Sequence, residues 1–478
     1  MTNELVVASN RGPVGWSRPA GGELTPSRGA GGLVTAMSDA LQRESGTWVS
    51  VALDDDDREV AAQHAGGPFD VEADGARFRL RLLDAGDDFG PYYNEVSNRL
   101  LWFTVHELWG APYEPAGVGW TGDWDAYRSV NRQVAEAVVE EASDGEPEVL
   151  LQDYHLCTAP RLVRDALPDA PLLHYIHTPW TQPSYLQRLP DAVVDAVLRG
   201  LLAADVLAFS SPFWCRAFRR CAEDILGAAT DGDTVEFGDH RTVVTDFVLG
   251  ADEDSLAEAA RSDEVAAAGR RLDDELDGRR LVLRVDRTDL SKNILRGLRG
   301  FEMLLERHPE HHGAVWHLAQ LNPSRQDVPE YREYLRACVD VAERIRERFG
   351  ESAVTLSMES DFPRVVAGFR RSDVLLVNPV VDGTNLVAKE GPLLNANDGV
   401  LVLSRTAGAA DLLGEAALCV NPYDVEETAE TLHAALTMDA DERAERARLL
   451  REAAGRGSPG DWLYAQRELL RATVARRR

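Results

Sequence analysis

Short apolar runs alternate with long stretches of helical periodicity along the whole chain. In the first half the runs are LVVASN (5–10), TWVSVAL (47–53), EVLLQDY (148–154), PLLHYIHT (171–178) and VLAFSS (206–211). In the second half they are LVLRVDR (281–287), AVWHLAQL (314–321), VLLVNPV (374–380), GVLVLS (399–404) and AALCVNP (416–422). Apolar positions at helical spacing fill the intervals, as in DAYRSVNRQVAEAVVEEA and VPEYREYLRACVDVAERIRERFG. Strands that are apolar on both faces and separated by helices predict an α/β protein with mainly parallel sheets.

At 478 residues the chain exceeds one comfortable core, which predicts two domains. The composition changes in GADEDSLAEAARSDEVAAAGRRLDDELDGRR (250–280), an acidic, alanine-rich stretch without a strand that is expected to join the halves and add a helix. A break at AAGRGSPGDW (453–462) precedes a last helix, WLYAQRELLRATVARRR. The expected division is 1–249, 250–455 and a terminal helix, 456–478, packing back on the N-terminal domain. Two Rossmann-like halves facing each other across a cleft are the expected architecture, with ligands outside the carboxyl ends of the strands.

Hydrophobic content of 44% and charged content of 27% are those of a globular protein. The net charge of -29 argues against nucleic acid and anionic membrane as partners, and requires any anionic substrate to be held by a local cluster of cations. Five cysteines without CxxC pairing support neither a disulfide framework nor a zinc site. With no apolar stretch approaching a membrane span, the expectation is a soluble, cytoplasmic protein. Only two lysines, Lys292 and Lys389, stand among the 51 basic residues, the rest being arginine.

Candidate chemistry gathers just after strands. SRGAGGLVTAMSDALQR (27–43) places glycines before a helix whose N-terminus would offer N–H groups to an anion, and Arg11 follows the first strand. QDYHL and YIHTPW put Asp153 and His177 at strand ends, where each can grip a sugar hydroxyl or simply satisfy a structural hydrogen bond. Arg287, Lys292 and Arg325 cluster after neighbouring strands, as a leaving diphosphate would need. The acidic run LDDDDRE (53–59) reads as a solvated loop rather than a metal cage. Asp382-Gly383 leads into another helix start, with Glu390 one turn in, suited either to a ribose diol or to dipole compensation.

Taken in order, SNRGP, GAGGL, Trp48, YYNEVSN…LW (92–102), QDYHL, IHTPW, RxDxSK, PSR, DGxNLVAKE and VNPYD (420–424) resemble the trehalose-6-phosphate synthases, family-20 retaining glycosyltransferases of GT-B fold. The resemblance runs nearly end to end. It implies that Arg11, Tyr93 and Arg325 bind an acceptor sugar phosphate, with Trp48 and Trp102 lining that pocket. Asp153 then contacts the acceptor and His177 the donor sugar, while Arg287 and Lys292 grip the donor diphosphate. Asp382, Asn385, Leu386 and Val387 meet the donor sugar and its phosphates, Glu390 the ribose, and Gly32 lies beside the diphosphate. The implied reaction is NDP-glucose (UDP, GDP or ADP) plus glucose 6-phosphate giving trehalose 6-phosphate, with no protein nucleophile, cofactor or metal.

The chain departs from the family's usual HDYH, HIPFP, FQT, RDGMN, KEY and RLDYSKG at Gln152, HTPW, FSS, VDGTN, Gly391 and RTDLSKN. Arg364 is the nearest match to a further donor-side arginine. The VDG…PLLN pattern is similar to pseudo-glycosyltransferases that couple a nucleotide-activated cyclitol to an aminocyclitol phosphate. That activity, or a silent sugar-phosphate-binding protein, is the alternative reading. Nucleotide base and oligomeric state stay open, a homo-oligomer included.

Overall fold

The computed structural model describes residues 4–18, 22–29, 32–110, 120–143, 145 and 147–477. The chain divides into two compact units, one of residues 1–249 with 459–478 and one of 250–458.

The first unit contains β1 (Leu5–Ala8), β2 (Val14–Ser17), β3 (Thr25–Arg28), β4 (Gly46–Val51), β5 (Phe69–Ala73), β6 (Ala76–Leu83), β7 (Glu148–Gln152), β8 (Leu172–Tyr175), β9 (Val206–Phe209), β10 (Ala229–Asp231), β11 (Thr234–Phe237) and β12 (His240–Asp246). Ten of them form one sheet in the order β10-β11-β12-β9-β8-β7-β1-β4-β6-β5, with β2 and β3 making a separate hairpin. From β9 to β6 every pairing is parallel. The six central strands, renumbered by chain order, read 6-5-4-1-2-3, the doubly wound arrangement whose order reverses between β1 and β7. Leu5, Val6, Val7 and Ala8 are fully buried, as a strand covered by helices on both faces demands.

The second unit has one all-parallel sheet of β13 (Arg280–Arg287), β14 (Val315–Asn322), β15 (Val354–Ser357), β16 (Val374–Val377), β17 (Val400–Ser404) and β18 (Leu418–Val420). Its order, β15-β14-β13-β16-β17-β18, is again the doubly wound one, reversing between β13 and β16. Apolar clusters fill both faces, Leu281 and Leu283 pointing to one and Val282 to the other. The stretch 250–280 forms two helices, Glu253–Ala259 and Asp263–Leu276, before β13 begins.

The final helix, Pro459–Arg477, packs as part of the first unit. Arg467 forks to Glu44 at 2.7 and 2.8 Å and also pairs with Glu148, while Arg477 reaches Asp205 at 2.7 Å. Glu44 and Asp205 precede strands and Glu148 opens β7, so charge as well as packing seats the helix.

The acidic run at 53–59, expected from sequence to be a solvated loop, is instead the start of the helix Asp55–Gln63. Asp54 caps it by accepting from the Asp57 N–H at 2.9 Å, and the buried Asp57 carboxylate accepts from Leu53 N–H at 2.9 Å. Acidic side chains in a first turn complement the helix dipole, which gives the density of aspartate in this run a structural reason.

With 80 acidic residues against 51 basic ones, self-repulsion opposes the compact state. The thermal midpoint is expected to rise as KCl is raised from about 0.1 M to about 1 M, where the screening length falls from ~10 to ~3 Å. A falling midpoint in that titration would mean that pairs such as Arg467–Glu44 outweigh the repulsion. No helix among the described residues is long and apolar enough to cross a membrane.

Candidate active site

In each sheet some of the residues singled out from sequence follow the strands beside the order reversal: Arg11 after β1, Asp153 after β7, Lys292 after β13 and Asp382 after β16. In the first unit, β1 runs into Ser9-Asn10-Arg11. Trp48, fully buried in β4, donates its indole N–H to Ser9 Oγ at 2.8 Å, and Ser9 Oγ donates to Arg11 O at 2.6 Å. Tyr92 O–H donates to Asn10 Oδ1 at 2.8 Å. This lattice fixes the turn while the Arg11 side chain stands exposed at the strand end. Trp48 therefore acts from behind, holding the turn that carries Arg11.

Tyr92 and Tyr93 come from an uncommon element, a π-helix spanning Pro91–Leu101, which leads into Trp102. The Tyr93 ring stacks between Phe89 (5.2 Å) and His155 (6.0 Å), and Trp102 stacks on His106 at 3.9 Å. Gly32 opens the helix Gly32–Arg43, but residues 30–31 of the glycine cluster lie outside the described residues.

Asp153, directly after β7, has φ 72° and ψ 170°, a region that side-chain-bearing residues rarely occupy. Its neighbours hold it there. Asp153 N–H donates to Tyr175 O at 2.7 Å, its carbonyl accepts from His174 Nε2 at 3.0 Å, and Oδ1 accepts from His177 N–H at 3.2 Å. Oδ2 lies 4.0 Å from His155 Nδ1. Strain of about 1–3 kcal/mol kept at such a place marks a position whose carboxylate direction matters.

His177, half-buried, donates from Nε2 to Gln152 Oε1 at 3.0 Å, and burial with His174 nearby keeps its imidazole neutral, well below the ordinary value. Its ring lies 5.9 Å from Trp462 of the terminal helix. Sequence reasoning noted Gln152 only as a departure and missed Trp462, which arrives from nearly three hundred residues away; no local pattern signals it.

In the second unit, the fully buried Asp289 carboxylate organises the cations. Its Oδ2 lies 3.2 Å from Arg325 Nη1 and 3.7 Å from Arg287 Nη2. Arg325 also donates to Tyr331 O–H at 2.6 Å. Lys292 Nζ meets Asp382 Oδ2 at 2.5 Å, a pair that spans the β13/β16 reversal. Asn385, at φ 51°, donates to the same Asp382 oxygen at 3.0 Å and caps the helix Val387–Leu394 by accepting from Ala388 N–H at 3.1 Å. The amides of Leu386 and Val387 stand at that helix start, where no intrahelical acceptor precedes them. Glu390 lies in its first turn with its carboxyl pushed up by burial.

Beneath these groups lies a buried layer that sequence reasoning missed. Arg284, fully buried, bonds Asp286 at 2.7 Å, Lys292 O at 3.1 Å and Asn378 Oδ1, so it fixes the backbone that carries Lys292. Asn293, where the family has glycine, adopts φ 58° and donates to Asn378 O at 3.0 Å and Pro422 O at 2.7 Å, which anchors the turn. Gly391, in place of tyrosine, is closely packed: a Cβ there would come within 2.2 Å of Leu375 Cδ2, which would have to shift. Arg364 is committed elsewhere, forking to Glu275 at 2.7 and 2.8 Å. Lys389 is fully buried, which draws its ammonium down to about 8.

Burial also sets a pH response. His174 and His317 are fully buried, each bonded to a backbone carbonyl at 3.0 Å, and both imidazoles are held down to about 4 from 6.5. Below pH ~6.5 the unfolded chain takes up protons that the folded chain does not, so each histidine withdraws up to ~1.4 kcal/mol per pH unit. Asp286 opposes them, because burial raises its carboxyl to about 6 from 3.8 and the folded state protonates first. His177 acts with the two histidines and Glu390 with Asp286, so three groups against two are expected to make stability fall on acidification from about pH 6.5 to about pH 4.5. Urea midpoints across that range read it, and His174→Gln should flatten the slope.

The glycosyltransferase family 20 model matches residues 3–471. The chain belongs to this family. Validamine 7-phosphate valienyltransferase of Streptomyces hygroscopicus subsp. jinggangensis is 31% identical over 486 residues, covering 99% of this chain and 96% of that protein. The α,α-trehalose-phosphate synthase [UDP-forming] 2 of Aspergillus niger is 32% identical over 459 residues, covering 93% and 92%. Among solved structures, trehalose-6-phosphate synthase OtsA matches with a TM-score of 0.83 at 27% identity, covering 98% of this chain and 99% of that one. The enzyme from Burkholderia xenovorans in complex with glucose-6-phosphate matches at 0.82 and 27%, covering 98% and 100%. The protein is a glycosyltransferase of GT-B fold, similar to trehalose-6-phosphate synthases.

Proposed function

We propose that this family-20 enzyme transfers glucose, with retention, from an NDP-glucose to glucose 6-phosphate, giving trehalose 6-phosphate and NDP. The observation that carries the reading is the cation set at the β13/β16 reversal: Arg287 and Arg325 spread from one buried carboxylate, and Lys292 is held at 2.5 Å by Asp382. As the bond from the anomeric carbon to the diphosphate oxygen breaks, its electron pair passes to the diphosphate, and Arg287 and Lys292 meet that charge. The acceptor hydroxyl forms the new bond on the same face and gives its proton to a phosphate oxygen. The enzyme then supplies position and electrostatics, not a nucleophile, and the leaving charge needs no metal. The amides of Leu386 and Val387 would add donors to the phosphates, with Glu390 on the ribose. Arg11, Tyr93 and Arg325 would hold the acceptor phosphate and ring, with Trp102 beside them. Asp153 would face the acceptor, and neutral His177 the donor sugar.

A second reading concerns the donor. Val381 is buried where the family has arginine, and Thr384 Oγ1 is enclosed without a hydrogen-bond partner among the described residues. Both changes fall on the donor loop, and the similarity to a valienyltransferase spans nearly the whole chain. A nucleotide-activated cyclitol is the donor this alternative requires.

The deciding assay mixes the protein with glucose 6-phosphate and UDP-, GDP- or ADP-glucose and reads products by mass spectrometry. A non-reducing disaccharide phosphate supports glucose transfer and names the nucleotide. Product only from an NDP-cyclitol with an aminocyclitol phosphate replaces the donor. Binding of both substrates without turnover of either pair would overturn the enzyme reading.

A further inference from the structure

The second unit carries a histidine cluster that the transfer reaction does not use. Three of the chain's 11 histidines meet at one place: His308 and His311 in the segment ERHPEHH, and His433 on the helix Val425–Thr437. His308 is the residue at which the helix Ile294–Arg307 ends, and the segment leads into β14. The cluster therefore sits at the amino end of the sheet, opposite the strand ends that bear Arg287, Lys292 and Asp382. The intervening helix of 14 residues is about 20 Å long.

One ligand atom each from His308, Glu310 and His433 lies within 4.8 Å of the others. His308 Nδ1 is 3.5 Å and His433 Nδ1 3.9 Å from the same Glu310 Oε1. His308 Nε2 lies 3.3 Å from Glu430 Oε2, so that carboxylate accepts the Nε2 proton and leaves Nδ1 as the lone pair on the Glu310 side. A carboxylate behind a ligating imidazole fixes its tautomer and raises its basicity. His311 Nε2, 3.0 Å from His433 Nδ1, hydrogen-bonds that ring and so orients it. The surrounding charge favours a cation: the carboxylates of Glu310, Glu426 and Glu430 outnumber the Arg307 guanidinium that pairs with two of them, and a helix C-terminus adds partial negative charge.

We propose that His308, Glu310 and His433 form a binding site for a transition-metal dication of the zinc class. Two imidazoles and one carboxylate suit Zn²⁺, Co²⁺ or Ni²⁺, whereas Mg²⁺ and Ca²⁺ prefer oxygen-only sets. The rings of His308 and His433 are stacked, with centroids 3.7 Å apart, so binding requires them to turn until both nitrogens reach one point. Both side chains are 19–28% exposed, which leaves them room to do so. A bound ion would staple the helix Ile294–Arg307 to the helix Val425–Thr437, stabilising the second unit without touching the candidate active site.

The test uses the full chain, stripped with EDTA and dialysed. ZnCl₂ is titrated by calorimetry with thermal midpoints in parallel, and CoCl₂ is followed by its visible ligand-field absorption. The expected result is one equivalent of Zn²⁺ bound, a raised midpoint, and a Co²⁺ spectrum showing nitrogen ligation. The double variant H308A/H433A should lose all three, and Glu430→Gln should bind about tenfold more weakly. Circular dichroism checks that each variant folds, and His64→Ala, a histidine in the first unit, serves as the control for adventitious binding. No binding by the wild type, or equal binding by H308A/H433A, would overturn the proposal.

Discussion

Lys292→Met is expected to lower kcat by about 10²- to 10³-fold, the usual cost of removing one fixed group that meets charge developing in the transition state. It should also destabilise the fold by about 3 kcal/mol, because Asp382, 12% exposed, loses the ammonium at 2.5 Å. Asp382→Asn separates the two effects. The neutral amide needs no counter-ion, so most of the stability should return to a Lys292→Met background while turnover stays low. Lys292→Arg is no conservative substitute, since a planar guanidinium fork does not reproduce the compact ammonium that meets Asp382 at 2.5 Å. Activity against urea midpoint for the three variants checks this. Full turnover in Lys292→Met would remove Lys292 from the leaving-group role. Lys389→Met addresses the other lysine: that side chain is fully buried and its replacement is expected to move stability, not kcat.

The second large effect has opposite signs in stability and activity. At φ 72°, Asp153 strains any residue with a Cβ. Asp153→Ala keeps the strain and loses the hydrogen bond from His177 N–H. Asp153→Gly loses the same bond but relieves the strain, against a glycine entropy cost of about 0.5–1 kcal/mol. The glycine variant is therefore expected to be about 1–2 kcal/mol more stable than the alanine variant. Both should lose turnover by about 10²-fold or more, because neither can contact the acceptor. Equal stability of the two would mean that the neighbours relax around Asp153 and hold no strain there. Retained turnover in either would separate the strained backbone from the chemistry.

Much of the framework was legible because parallel strands covered on both faces must be continuously apolar. Each of the ten runs read from the sequence coincides with an observed strand, seven enclosing it and three falling one residue short of it at one end. Strands not read from the sequence are those for which that signal fails. In β6, ARFRLRLL, arginines alternate with apolar residues, and β5 pairs with it at the sheet margin. β10, β11 and β12 are mixed in polarity at the other margin, and the four-residue β15 is an edge strand. Margins are half-solvated, so apolarity is not required of them.

Read alone, the chain points to where the chemistry is expected to stand. Composition demanded a local cation cluster, and the rule that ligands gather at strand carboxyl ends picked out Arg11, Asp153, Arg287, Lys292 and Asp382. Three-dimensional packing decided the rest, because it depends on partners distant in the chain. The positive φ of Asp153 is imposed by Tyr175, His174 and His177 on the neighbouring strand and its end. The ion pairs of Arg467 with Glu44 and Glu148 bury an arginine that looks like a surface residue in sequence. Arg284, inside an apolar run, became the support for Lys292 only because Asp286 compensates its charge there and Asn378 accepts a hydrogen bond from it. Apolar burial is additive along a strand and can be read locally. Compensation of a buried charge or a strained backbone requires a partner, and only the fold supplies one.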